Sequence, residues 1–429
     1  MRPFQIVFLS VFAVLALAGL LLFATFKGFG GAKPVGAILI WGTLPYSAMQ
    51  TSIEELRRTH QEFTSITYVE RPKGSFDADL SDALASGSGP DLIITDQERL
   101  RSEESKLTVI PFSSIPERTF RDTYLPISES YLTSGGTYGI PLAVDPLVLY
   151  YNRDLLSSAG IAQPPASWEA VVGMAPTLTV RSSVGSVSKS TIALGTYGNI
   201  PDARALLSLL LLQSGSTITE AGTGGGLRSA LLSGATAAGG TPGDSALTFY
   251  TQFADPAKIV YTWNRSLGDA MQSFIAGDTA LYVGYASEHA LIKASNPNLD
   301  FDIAAVPQPA TSATRTNYAL VYAFAIPKAS KNPVGAYRTA SALASRTQAP
   351  FTTQALGVAP AIRVLLTPST SDANAPVIYS QALIAKAWLS PAPAVIDRIF
   401  ADMIDSIISG RANVHDALTA ADQSLTASL

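Results

Sequence analysis

The chain contains no cysteine among its 429 residues. Disulfides, thiolate metal sites, a cysteine nucleophile and a lipid-modified N-terminal cysteine are all excluded by that absence. Histidine is scarce: His60, His289 and His415 are the only three. None stands in an i,i+4 histidine pair or an HExxH frame, so no zinc site is expected. Charge is sparse as well, with charged residues at 14% and a net charge of −4 from 29 basic and 33 acidic residues. There is no dense Lys/Arg patch with interleaved aromatics, so nucleic acid is not an expected partner. No GxSxG elbow and no GxxxxGK[ST] phosphate loop occurs. The glycine-rich stretches GSGPD (87–91) and GTGGG (222–226) read instead as a turn and a flexible loop. No cofactor and no metal are expected.

What is abundant is apolar. Hydrophobic residues make up 47% of a chain longer than one core usually supports, so two lobes are expected. Arg2 precedes an uncharged run, IVFLSVFAVLALAGLLLFATF (6–26), and Lys27 follows it. As a helix this run spans roughly 30 Å, the thickness of a bilayer core. It exceeds the apolar region of about 7–15 residues typical of a secretory signal. It reads as an uncleaved membrane anchor over 1–27, and a cleaved signal ending near Ala16-Leu17-Ala18 is the alternative. Both readings put the rest of the chain outside the cytoplasm. GFGGAKP (28–34) reads as a tether.

Beyond the tether, apolar strands and amphipathic helices alternate. VGAILIW (35–41), SITYVE (65–70) and DLIITD (91–96) read as strands. Between them, 47–63 and 78–86 carry helical patterns. This alternation predicts an α/β fold with a mostly parallel sheet covered by helices. Later segments repeat it more weakly. A strand and turn are expected over 190–198, strands over 278–285, 301–309 and 318–328, and a very apolar helix over 203–215. A mobile Gly/Ala-rich loop around one short helix is expected over 221–243, and two helices joined at Gly410 over 395–425.

Open sheets of this kind bind ligands at the carboxyl ends of their strands. Trp41, Thr43 and Asp96 stand there. Aromatic residues gather at expected strand ends and loops: Trp41, Tyr46, Tyr197, Trp263, Tyr285 and Tyr318. Each alone could be core filler. Together they suit a ligand, because aromatic faces pack on sugar C–H groups while acids and amides hold hydroxyls. Asp96 with Asp145 is the carboxylate pair to weigh for acid–base work. GIPLAVDPLVLYYNRDLLSSAGI (139–161) poses a separate puzzle, an acid and a proline inside a buried strand.

The surroundings of that stretch resemble the extracellular solute-binding proteins of ATP-binding cassette importers, the maltodextrin-binding-like family. The matching residues are GGTYGIPLAVDPLVLYYNRDLLSSAGIAQPPASWEAVV (135–172), LASGSGPDLIITD (84–96), SFIAGDTALYVGY (273–285), LGVAPAIR (356–363) and SGRANVHDAL (409–418). Their order holds over about residues 35–425.

The resemblance implies a two-lobed periplasmic-binding-protein-like fold of type II. Lobe one would comprise 35–143 and 318–360, and lobe two 144–316 and 361–429, with crossings near Asp145-Pro146, Tyr318 and Arg363. It implies capture of a small solute, a carbohydrate in the first instance, by hinge closure and its delivery to the permease subunits of an importer. The ligand-binding residues expected are Trp41, Thr43, Asp96, Asp145, Tyr197, Trp263, Tyr285 and Tyr318, with Trp263 and Tyr285 stacking and the two aspartates accepting hydroxyl hydrogen bonds. Asp145 could equally cap a turn, and Arg363 could pair with a carboxylate. The protein is expected to be monomeric and not an enzyme. The alternatives are an anchored sensing or surface module without a transporter, and a cleft hydrolase using Asp96 and Asp145.

Overall fold

The computed structural model describes residues 34–222, 226–234, 240–367 and 372–429. The apolar run at 6–26 lies outside the described residues. Among the described residues no helix is long and apolar enough to cross a membrane.

Strands β1 (Ile38–Gly42), β2 (Ile66–Glu70) and β3 (Leu92–Asp96) pair in parallel in the order β2-β1-β3. Helices α1 (Tyr46–Thr59) and α2 (Phe76–Ala85) make the crossovers. Helix α1 buries Met49, Ile53 and Leu56, which recur at helical spacing, and puts Arg57 and Arg58 in its last turn. Cations there complement the negative end of the helix dipole. At the end of β3, Asp96 starts a third helix, α3 (Gln97–Glu103).

Five further strands extend the main sheet, namely β4 (Gly139–Asn152), β5 (Val187–Ile192), β6 (Thr279–Tyr285), β7 (Phe301–Ala304) and β8 (Asn317–Ala325), and three two-residue strands bring it to eleven. The strand order runs β2-β1-β3-β8-β4-β6-β5, with β7 also on β4. Every residue of β4 except Tyr151 is buried. Its first half pairs antiparallel with β8, from Gly139 opposite Ala325 to Pro146 opposite Ala319. Its second half pairs antiparallel with β6, beginning with Leu147 opposite Tyr285. The strand therefore changes partners at Pro146-Leu147. A proline, which has no N–H to donate, suits the point where one ladder stops and the next begins. That accounts for the proline in the otherwise apolar run.

Two lobes sharing β4 form a mixed sheet, which corrects the expectation of a mostly parallel one. Strand β8 is antiparallel to both β3 and β4, β6 and β7 are antiparallel to β4, and parallel pairing in the second half is confined, among the described residues, to β5 with β6 and Asn317–Tyr318 with Ala385–Lys386. The reason is topological. A strand that returns between lobes beside the one that left runs opposite to it.

Helix α4 (Trp168–Leu178) is capped by Ser167, whose hydroxyl oxygen accepts from the Ala170 N–H at 3.2 Å. Helix α5 (Ala203–Ser214) is apolar nearly all round and is buried through most of its length, as such a helix must be. It ends at Gly215, whose φ of +101° favours glycine. Helix α6 (Pro242–Thr251) starts from a reciprocal Thr241/Asp244 cap. The terminal pair, α7 (Pro393–Ile408) and α8 (Val414–Ser428), turns at Gly410 with φ +71°.

Two segment expectations fail. Strand β7 ends at Ala304, short of the 309 expected, whereas β5 ends at Ile192 and leaves the sheet before Gly198 as the expected strand and turn do. The stretch 221–243 contains, among its described residues, a hairpin pairing Thr219–Ala221 with Leu227–Ser229, and no helix before Pro242. Residues 223–225 and 235–239 of it lie outside the described residues.

Candidate functional site

The segment after β2, the start of α3, the end of β6 and the starts of α5 and α7 converge on one cleft. Its volume is about 380 Å³. One wall carries Lys73, Asp77 and Arg99, which follow β2 and β3, and the other carries Asp202, Arg204 and Asp397 from the starts of α5 and α7. Tyr285, the last residue of β6, lines the cleft between them.

Arg204 bridges the walls. Its Nη2 donates to Glu98 Oε2 at 2.6 Å and its Nε to Glu98 Oε1 at 3.2 Å, while Nη1 donates to Asp397 Oδ2 at 2.6 Å. Glu98 belongs to α3, on the far side from α5 and α7. The Arg204 side chain is 15% exposed and that of Glu98 3%, so this pair is withdrawn from water. Tyr318 donates its hydroxyl to Glu98, and Tyr197 donates to Asp397 at 2.6 Å. Gln97 ties the same strand down, giving its Nε2 hydrogen to the Ala319 carbonyl at 3.1 Å and accepting from the Val321 N–H at 2.8 Å. A second arginine, Arg99, donates to Asp77 at 2.9 Å and stands 3.4 Å from Asp96.

Asp96 is the N-cap of α3. Its Oδ1 accepts from the Glu98 and Arg99 N–H groups at 3.0 and 3.2 Å. Burial, with the charge of Glu98 beside it, raises its carboxyl above the usual range against the pull of Arg99. Asp145 accepts from the Ser287 hydroxyl at 2.6 Å and the Ser287 N–H at 3.1 Å. Burial pushes it up to about 6, against those hydrogen bonds. Both aspartates are thus held by protein donors.

The other expected residues are dispersed. Trp41 is buried, with the Arg71 guanidinium 3.7 Å from its ring centre. Thr43 is half-buried in the turn after β1. Tyr197 and Tyr318 serve the Arg204 network through their hydroxyls. Trp263 is wholly enclosed and does not line the cleft. Of the expected set, only Tyr285 lines the cleft itself. Its hydroxyl makes no hydrogen bond among the described residues, although the residue is only 8% exposed. Arg363 donates to the Tyr124 carbonyl at 3.1 Å and not to a carboxylate. Asn152, not Asp154, caps the helix after β4, accepting from the Leu155 N–H at 2.9 Å.

Sequence reasoning missed Glu98, Arg204, Asp202 and Asp397. An acid directly after a strand end (Glu98) and an acid and arginine at a helix start (Asp202, Arg204) were the available signals. The Tyr282 hydroxyl lies 2.9 Å from an oxygen of Asp202 and 2.9 Å from one of Glu288, which brings the two carboxyls together. Burial, and for Glu288 the charge of Asp202, raises both carboxyls. Gly284 makes the approach possible, since a Cβ there would sit 2.2 Å from Glu288 Oε2. Among the described residues no group of His, Asp and Glu could hold a metal ion.

The profile of the bacterial extracellular solute-binding protein family matches residues 42–350. Proteins named as binding proteins in Brucella abortus and Brucella suis are 23% identical over 287 residues, 61% of this chain. The match spans 65% of the length of those relatives. A cyclic α-maltosyl-1,6-maltose binding protein from Arthrobacter globiformis superposes with a TM-score of 0.73 at 18% identity, covering 93% of this chain and 99% of that one. A cyclo/maltodextrin-binding protein complexed with maltotetraose gives 0.71 at 15%, covering 92% and 97%. An ABC transporter solute-binding protein from Thermotoga lettingae bound with α-D-tagatose gives 0.69 at 18%, covering 92% and 100%. At such identities the likeness establishes the two-lobed fold.

Proposed function

The chain belongs to the bacterial extracellular solute-binding protein family, and on that premise we propose that it captures a sugar or oligosaccharide in the cleft between its lobes and hands it to an ATP-binding cassette importer. The observation that carries this reading is the Arg204–Glu98 bridge at 2.6 Å, which joins one wall of the cleft to the other beside Tyr285. Groups from both walls can touch one solute only when the lobes are closed. A solute that contacts both therefore stabilises the closed form by its differential affinity. The hinge lies at Pro146-Leu147, with the lobes dividing near 35–143 with 318–360 and 144–316 with 361–429. Tyr285 supplies the aromatic face, Asp202 and Asp397 supply the polar contacts, and Arg204 holds the two walls together. Asp96, Asp145, Tyr197 and Tyr318 support the cleft from behind, and Trp41 and Thr43 border it on the β1 side.

Binding rather than turnover follows from the same geometry. The two aspartates weighed for hydrolysis are occupied by helix-capping and serine donors. The apolar run 6–26 is the membrane anchor in this reading and replaces the absent lipid-modified cysteine.

The test is a thermal-shift screen of the full chain in mild detergent against oligosaccharides, polyols, polyamines and amino acids. A ligand at about 100 times its dissociation constant stabilises a fold by roughly 2.7 kcal/mol. A shift with saccharides that Tyr285→Ala abolishes is the expected result. Shifts confined to amino acids or polyamines overturn the substrate class.

A further inference from the structure

Both arginines in the cleft are already matched. Arg99 is shared by Asp77 and Asp96, and Arg204 by Glu98 and Asp397. Each planar guanidinium spends its hydrogen-bonding fork on protein carboxylates, so neither is free to clamp an anionic ligand. Lys73 is the remaining cation of the wall, and it is exposed. Against these three stand six carboxyl groups. Asp77, Asp202 and Asp397 line the cleft, and Asp96, Glu98 and Glu288 lie directly behind it.

Two of the six, Asp202 and Glu288, have no cationic side chain bonded to them, and of these Asp202 lines the cleft. The Tyr282 hydroxyl lies 2.9 Å from an oxygen of each. Its one hydrogen can serve only one of them, and two ionised carboxylates around one hydroxyl repel, so the pair holds a proton. A cation arriving at Asp202 removes the need for that proton. An independent feature shows that a ligand group belongs here. Tyr285 is 8% exposed and lines the same cleft, and its hydroxyl, which has no protein partner among the described residues, is open to a ligand group there. The face of its ring is also a surface to which a cation is attracted.

We infer that the cleft selects a saccharide carrying an amino group, with the ammonium held at Asp202 beside Tyr285, over neutral and anionic saccharides. This rests on the proposal that the cleft binds a saccharide at all. Lys73 opposes such a ligand only weakly, because its ammonium stands in water where charges are screened.

The experiment is titration calorimetry on the full chain with a matched pair of probes. One is a β-1,4-linked glucosamine tetramer at slightly acidic pH, where its amines are protonated. The other is its fully N-acetylated form. Maltotetraose and a uronic-acid tetramer complete the set. The amine form is expected to bind on the order of tenfold or more tighter than the acetylated form and maltotetraose, with no detectable binding of the uronate. Repeating the titration in two buffers of different ionisation enthalpy is expected to show proton release on binding. In Asp202→Asn the preference for the amine should collapse, and in Tyr285→Phe, which keeps the fold and the ring, all saccharides should weaken. Equal or tighter binding of a neutral or anionic member overturns the inference and leaves saccharide capture standing. Failure of every saccharide to bind a folded chain overturns both.

Discussion

Replacing Arg204 by methionine tests the central feature of the cleft. The substitution keeps most of the side-chain volume and deletes the guanidinium. Glu98, 3% exposed, is then left with the Tyr318 hydroxyl as its main donor. Breaking a buried ion pair by removing one partner costs about 3–5 kcal/mol, chiefly because the other charge stays buried and unpaired. Glu98 and Arg204 come from opposite walls, so this penalty falls on the closed form. In the open form, Glu98 regains water and Arg204 keeps Asp397. The closed population should fall accordingly, and ligand affinity should drop by roughly 10²–10³-fold. Calorimetric titration with the best saccharide from the screen measures the loss, and small-angle scattering of the liganded protein measures closure. Adding Glu98→Gln to the variant removes the orphaned charge and should restore a large part of the affinity, as neutral replacements of buried pairs do. An affinity within threefold of the parent, or a double variant no better than the single one, would refute the reasoning.

Three further outcomes follow from buried groups. Asp145 has its carboxyl pushed up to about 6 in the folded protein from an ordinary value of 3.8, so the folded state holds its proton over a range where the unfolded chain has lost it. Its stability contribution is then full below the lower value and declines as pH rises to the upper one, by about 3 kcal/mol in all. Chemical denaturation of Asp145→Asn across that window should show the variant gaining on the parent as pH rises. Glu103, enclosed and held by the Thr95 hydroxyl at 2.7 Å, is pushed up to about 8, and the same argument applies over a wider range. Relative to Glu103→Gln the parent should lose about 1.4 kcal/mol per pH unit between its unfolded value and 8, and a flat difference would contradict it. Gly284→Ala drives a methyl to 2.2 Å from Glu288 Oε2 and 2.5 Å from the Tyr282 ring. It should cost about 1–3 kcal/mol and weaken saccharide binding through Asp202, read as a lowered melting temperature and a raised dissociation constant.

Much of the first half of the fold was legible because its signals are local. Periods of two and of 3.6, with glycine and proline at the borders, define β1, α1, β2, α2 and β3 within a few residues. The resemblance implied a crossing near Asp145-Pro146, and the ladder changes partners at Pro146-Leu147, where a residue without an N–H is well placed. The mixed sheet was not legible. Strand direction depends on which neighbour a segment meets, and β8 meets β3 and β4 from far along the chain.

The site divides the same way. Aromatic residues at strand ends could be named from the sequence, but not which of them face the cleft. Tyr285 ends β6 on the cleft wall, whereas Trp263 lies in a loop outside the sheet and packs wholly inside. Asp96 looked like a ligand acceptor and became a helix cap, since the nearest unsatisfied donors were the N–H groups of its own helix. Glu98, Arg204 and Asp397 carry no common motif and lie 106 and 193 residues apart along the chain. Composition by itself excluded thiol chemistry and pointed away from metal, and periodicity laid down the layers. Only the tertiary structure decided which charges oppose one another across the cleft. An ion pair depends on distance and on withdrawal from water, and both exist only once the lobes are packed.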